Sequence, residues 1–124
     1  PKMLLSRSFK PSFRTAAHYI INGMPANTRK KLYEFMINES GRAAWEIRCG
    51  KIAVDYKKIT CPVMVIGCGN DRIVPPLVAE DISLSLGMLT DVVLYNYGSR
   101  AHWPQVECGW EGVAKDIAKW ISYG

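Results

Sequence analysis

Apolar positions change their rhythm near residue 60. Before it they recur three and four residues apart, the spacing of one face of an α-helix. Phe13, Ala16, Ala17, Ile20 and Ile21 form one such face, and Ser12 stands where a cap is needed. The run Asn22-Gly23-Met24-Pro25 stops that helix, since Gly and Pro break helical geometry. A second helix is expected from a Thr28 cap, with Leu32, Phe35 and Met36 on its apolar side and Lys30, Lys31 and Glu34 outside. Ser40-Gly41 ends or bends it, and a short helix follows through Ala43, Ala44 and Trp45. No segment of this half predicts a strand.

Beyond residue 60 the pattern alternates. Val63-Met64-Val65-Ile66, after Pro62, is a short apolar run suited to a strand buried on both faces. Gly67 to Pro76 reads as a loop, rich in Gly, Asn, Asp and Pro. A helix is expected over about Leu77 to Leu86, with Val78, Ile82 and Leu86 inward and Gly87 at its end. Asp91-Val92-Val93-Leu94-Tyr95 predicts a second strand, and Asn96 to Gly109 a long loop. Trp110, Val113, Ala114, Ile117 and Ile121 then recur at helical spacing. The order β–loop–α–β–loop–α implies parallel strands joined by a crossover helix. Two strands are too few for a parallel sheet, because such sheets need both faces and further neighbours covered. The expected class is therefore α/β: a helical segment over residues 1–58, then the end of a larger parallel sheet over 59–124.

Hydrophobic residues make up 48% of the 124 positions and charged residues 22%, which places the chain among folded rather than disordered sequences. No apolar run is long enough to cross a bilayer. Cys49, Cys61, Cys68 and Cys108 form no C-x-x-C pair, and no His lies at metal-ligand spacing from them. They read as reduced thiols of a cytoplasmic protein. Charge is uneven: residues 1–60 hold 12 Lys and Arg against 4 Asp and Glu, residues 61–124 hold 4 against 7. A basic half suits an acidic partner or the solvated outside of helices. No nucleic-acid-binding motif accompanies it, so the second reading is preferred.

The candidate chemistry sits in the two long loops. In a parallel sheet functional loops leave the carboxyl ends of the strands. Asp71 lies five residues past Ile66, and His102 seven residues past Tyr95. Neighbouring strands are about 5 Å apart, so these loops can meet. A carboxylate that accepts from an imidazole fixes its tautomer and stabilises the imidazolium, the orienter–base half of a Ser-His-Asp triad. Taken singly, Asp71 reads as a turn residue and His102 as a surface-loop histidine; the pairing favours chemistry. His18, beside apolar positions, reads as structural. Cys68 sits in the acid loop rather than on a nucleophile turn and reads as a thiol without a catalytic role. Gly67-x-Gly69 is not a dinucleotide fingerprint, since Arg72 occupies the third glycine position. Phe35, Met36, Trp45 and Trp110 read as core.

Two runs carry a resemblance. Ile59-Thr60-Cys61-Pro62-Val63-Met64-Val65-Ile66-Gly67 followed by Gly69-Asn70-Asp71-Arg72-Ile73-Val74-Pro75 resembles the acid strand and loop of the α/β-hydrolase family. Ala101-His102-Trp103-Pro104, with Glu107 and the helix from Trp110, is similar to that family's histidine loop. The resemblance covers residues 59–124, and the helices of 1–58 stand where the family often carries a cap. It implies Asp71 and His102 as catalytic acid and base, an ester-like small-molecule substrate cleaved through an acyl-enzyme, and no metal or organic cofactor. The chain departs from the family in two places. No G-x-S-x-G surrounds any of Ser6, Ser8, Ser12, Ser40, Ser83, Ser85, Ser99 or Ser122. Ser99-Arg100 precede the histidine where glycine or histidine is common. The nucleophile half is expected upstream of Pro1, leaving these residues inactive alone and prone to form a homodimer or to pair with that half. A non-catalytic interaction module, or truncated relic of the fold, is the alternative; a basic nucleic-acid-binding domain is the third reading.

Overall fold

The computed structural model describes residues 8–123. In chain order they form β1 (Ser8–Phe9), α1 (Phe13–Tyr19), α2 (Ala26–Phe35), β2 (Glu39–Ser40), α3 (Gly41–Arg48), a 3-10 turn (Tyr56–Lys58), β3 (Val63–Cys68), α4 (Pro76–Gly87), β4 (Val92–Tyr97) and α5 (Trp110–Tyr123). The class is α/β. β3 and β4 pair in parallel, from Val63 opposite Val92 to Cys68 opposite Tyr97, and α4 links them and packs on both.

Local chemistry explains most boundaries. Ser12 caps α1, its hydroxyl accepting from Thr15 N at 3.2 Å. α2 begins earlier than a Thr28 cap requires: Pro25 is the cap, and Thr28 sits in the first turn with its Oγ1 donating to Pro25 O at 2.9 Å. Proline pre-sets the entry to the helix, and the threonine hydroxyl bonds back to the cap carbonyl from inside the helix. α2 ends at Phe35, where Met36 turns extended. Ser40 is the cap of α3, accepting from Ala43 N at 3.3 Å, and Gly41 is its first residue rather than the end of α2. The strand pair absent from the sequence reading is β1–β2, antiparallel and two residues long on each side. Segments that short carry no alternation to read.

The second half follows its pattern with longer strands. β3 runs on through Gly67 and Cys68, and β4 through Asn96 and Tyr97, because each strand's backbone pairs with the other beyond its apolar run. α4 starts at Pro76, a proline at the first helical position. Its buried residues are Ala79 and Leu86, one face at seven-residue spacing, while Val78 is exposed. The expected inward position thus shifts by one residue. Gly67 permits this packing: a Cβ there would lie 3.2 Å from the Ala79 Cβ.

The buried apolar set is small: Ala16, Ile21, Met24, Cys68, Ala79, Leu86, Ala101 and Val113. Phe35, Trp45 and Trp110, expected in a core, are exposed, Phe35 at 75%. Among the described residues no second layer lies over them; Trp45 instead lies under the Lys51 ammonium at 3.9 Å. All four cysteines are free. Among the described residues no helix is long and apolar enough to cross a membrane.

Candidate active site

The loop after β3 and the loop after β4 are sewn together along their backbones. Gly69 N donates to Tyr97 O at 3.0 Å, and Asn70 N to Arg100 O at 2.8 Å. The Asn70 side chain adds a bond from Nδ2 to Ser99 O at 3.0 Å. The crossing is so close that a Cβ on Gly69 would collide with the Gly98 carbonyl. Glycine is therefore required sterically at residue 69.

These stitches bring Asp71 and His102 together. His102 Nδ1 lies 2.9 Å from Asp71 Oδ2 and 3.1 Å from Oδ1. Oδ1 also accepts from Ile73 N at 2.8 Å and Val74 N at 2.9 Å. Asp71 is thus both the turn residue and the histidine's partner; the two sequence readings describe one side chain. Burial by itself would raise its carboxyl pKa. The bonds from Val74 N–H, the His102 ring and Ile73 N–H, with attraction to the imidazole, outweigh that and hold it below the usual carboxylate value. An ionised Asp71 has no proton to give, so the shared proton sits on His102 Nδ1. In the neutral ring the lone pair is then on Nε2, which makes no hydrogen bond to the described residues.

The histidine loop is braced by two residues to which sequence reasoning assigned no role. Glu107 is buried at 4% exposure. Its Oε1 and Oε2 accept from Ala101 N at 3.0 and 3.2 Å, fixing the backbone directly before His102. Its carboxylate also presses against Gly23 in the α1–α2 turn, where a Cβ would clash with it. Glu107 stands in the run that resembles the histidine loop, which gives it a place in the sequence but no role. Arg100 closes the same loop, donating to Cys108 O and, at 2.6 Å, to Gly109 O. Gly109 takes a positive φ of 77° there. The residue that departs from the hydrolase pattern is thus a loop clamp.

Other singled-out residues fall elsewhere. Cys68 is buried beside the pair. Burial, then the charges of Asp71 and Glu107, push its thiol pKa up, so it stays protonated and is a poor nucleophile. His18 is exposed on α1, with Arg72 Nη1 3.0 Å from its Nδ1. Ser6 lies outside the described residues. Among those residues no group of three His, Cys, Asp or Glu is placed to hold a metal ion. A hollow of about 350 Å³ opens beside the pair, between α4 and α5 at the β3 edge; Asp71, His102, Cys68, Ala79 and Ile117 are among its walls. Tyr97 ties β4 to α5 through its hydroxyl, which donates to Asp116 Oδ2 at 2.7 Å. Burial, then that bond, pushes the phenol pKa up to about 12.

Comparison with known proteins finds no family model, curated protein or solved structure that matches the chain.

Proposed function

We propose that these residues are the acid–base part of an α/β-hydrolase-type active site, with His102 as general base, Asp71 as its orienter, and a nucleophile supplied from outside residues 1–124. The observation that carries the reading is the Asp71–His102 hydrogen bond across two stitched loops, with Nε2 left to receive a proton. In an ester cleavage Nε2 takes the proton of a nucleophilic hydroxyl as its oxygen attacks the carbonyl. It then returns the proton to the leaving alcohol as the tetrahedral intermediate collapses to the acyl-enzyme; water repeats the cycle to release the acid. The substrate class is an ester or related acyl compound, and the chemistry calls for no cofactor.

The test is fluorophosphonate labelling of the polypeptide read from its own coding sequence. The expected result is modification of one serine outside residues 1–124, slowed roughly 10²–10⁴-fold by His102→Ala. Labelling of a serine within 1–124, or indifference to His102→Ala, contradicts the proposal.

A second reading rests on a separate observation. Phe35, Ile37, Ile47, Leu77, Leu84 and Ile121 stay largely exposed. In β3 and β4 only Gly67 and Cys68 are buried. Each strand also leaves one edge unpaired. This surface suits association with another polypeptide, either a second copy or the segment carrying the nucleophile. A non-catalytic interaction module would use the same surface and leave the Asp71–His102 pair without a nucleophile; absence of any labelled serine would select it.

A further inference from the structure

A second hollow, of about 470 Å³, is lined by residues of α1, α2 and the acid loop and shares no wall residue with the hollow beside the Asp71–His102 pair. Its walls include Arg14, Arg29, Arg72, His18, Phe13 and Ala17, with no Asp or Glu among them. None of the three arginines forms an ion pair with an acidic residue among the described residues. Guanidinium groups remain charged at any physiological pH, so three lining one concave space make it electropositive and suited to an anion.

Two of the three are already positioned by backbone carbonyls. Arg29 donates from Nε to Met24 O at 2.8 Å and from Nη2 to Asn22 O at 3.0 Å. Arg72 donates from Nη1 to His18 O at 3.2 Å. Those bonds hold the guanidiniums without neutralising them, and Arg14 makes no hydrogen bond in which its charge is spent. Planar guanidinium forks match the oxygens of a phosphate two at a time. The volume falls within the range of small-molecule sites. Phe13 and Ala17 add an apolar wall.

We propose that this hollow binds a small phosphorylated molecule, with its phosphate held by Arg14, Arg29 and Arg72 and its apolar part against Phe13 and Ala17. The site is independent of the hydrolase reading and is tested by binding rather than turnover. A nucleic-acid backbone fits less well, because it needs positive charge spread along a track with stacking platforms, whereas this charge converges in a pit.

The experiment is calorimetric titration of the full chain with phenyl phosphate at fixed ionic strength. Phenol and chloride serve as controls, and Arg14→Gln and Arg72→Gln as variants. One saturable site is expected, weakened about tenfold by each substitution, as for the loss of one charged hydrogen-bond donor, with no response to phenol. Arg14 makes no hydrogen bond among the described residues, so Arg14→Gln keeps the fold, and an unchanged unfolding midpoint verifies it. Non-saturating heats, a response equalled by chloride, or unaltered affinity in Arg14→Gln overturns the proposal. A single-stranded oligothymidylate that displaces phenyl phosphate and binds more tightly overturns it in favour of nucleic acid.

Discussion

In the loops that follow β3 and β4, position is set by bonds between the two loops and by side chains further along the same loop. Asn70 is held by Ser99 and Arg100, Asp71 by His102, and Ala101 by Glu107. In α2 and α3 no residue is buried at all. α2 leans on α1, through an edge-to-face contact of Phe13 with Tyr33 at 5.4 Å and a bond from the Tyr33 hydroxyl to Pro11 O at 2.9 Å. Both regions present apolar side chains, but only the loops also hold a fixed arrangement of polar groups. Geometry fit for proton transfer depends on such cross-bracing; in α2 the bonds of Arg29 and Tyr33 to backbone carbonyls fix the helix but bring no pair of titratable side chains together.

The contrast can be broken at its tightest point. Gly69→Ala drives a methyl into the Gly98 carbonyl. It is expected to cost about 1–3 kcal/mol, as overpacking does, and to separate the two loops. A urea titration showing no loss would mean that the crossing gives way easily.

Acid should act on the same region. The Asp71 carboxyl has a lower pKa folded than its ordinary 3.8, so the folded state holds its proton less tightly than the unfolded state does. The stabilisation is present above that ordinary value and is lost as pH falls through the depressed folded value. Thermal unfolding followed from neutral pH into this acid range should show that loss, and Asp71→Asn should remove this part of the pH dependence. An equally steep acid loss in the variant would assign the effect to other carboxylates.

In the helical region the smallest effect is expected. Phe35→Ser replaces a side chain that is 75% exposed, so folding stability should change by less than about 0.5 kcal/mol. Sedimentation should nevertheless show weaker association, if that face meets another polypeptide. A large loss of stability in dilute solution would place Phe35 in a core after all.

The parallel pair β3–β4, α4 and α5 are legible in sequence because apolar runs and helical spacing are local signals, whereas the two-residue strands β1 and β2 carry no such signal. Asp71 and His102 were legible because topology places the two loops on neighbouring strands. What escaped depends on three-dimensional contacts that no periodic pattern records. Glu107 looks like any loop carboxylate until Gly23 and Ala101 close around it. Arg100 looks like an intrusion until Gly109 and Cys108 receive its guanidinium. Phe35 and Trp45 kept the right helical spacing, but periodicity records which face is apolar, not whether anything covers it.

The central claim is that Asp71 makes His102 a base at Nε2. Long-range 15N–1H correlation of the His102 ring, at a pH where it is neutral, reads this directly. The account predicts a protonated Nδ1 and a bare Nε2 in the wild-type chain, with that preference lost in Asp71→Asn. A ring protonated on Nε2, or a tautomer indifferent to Asp71→Asn, would contradict it.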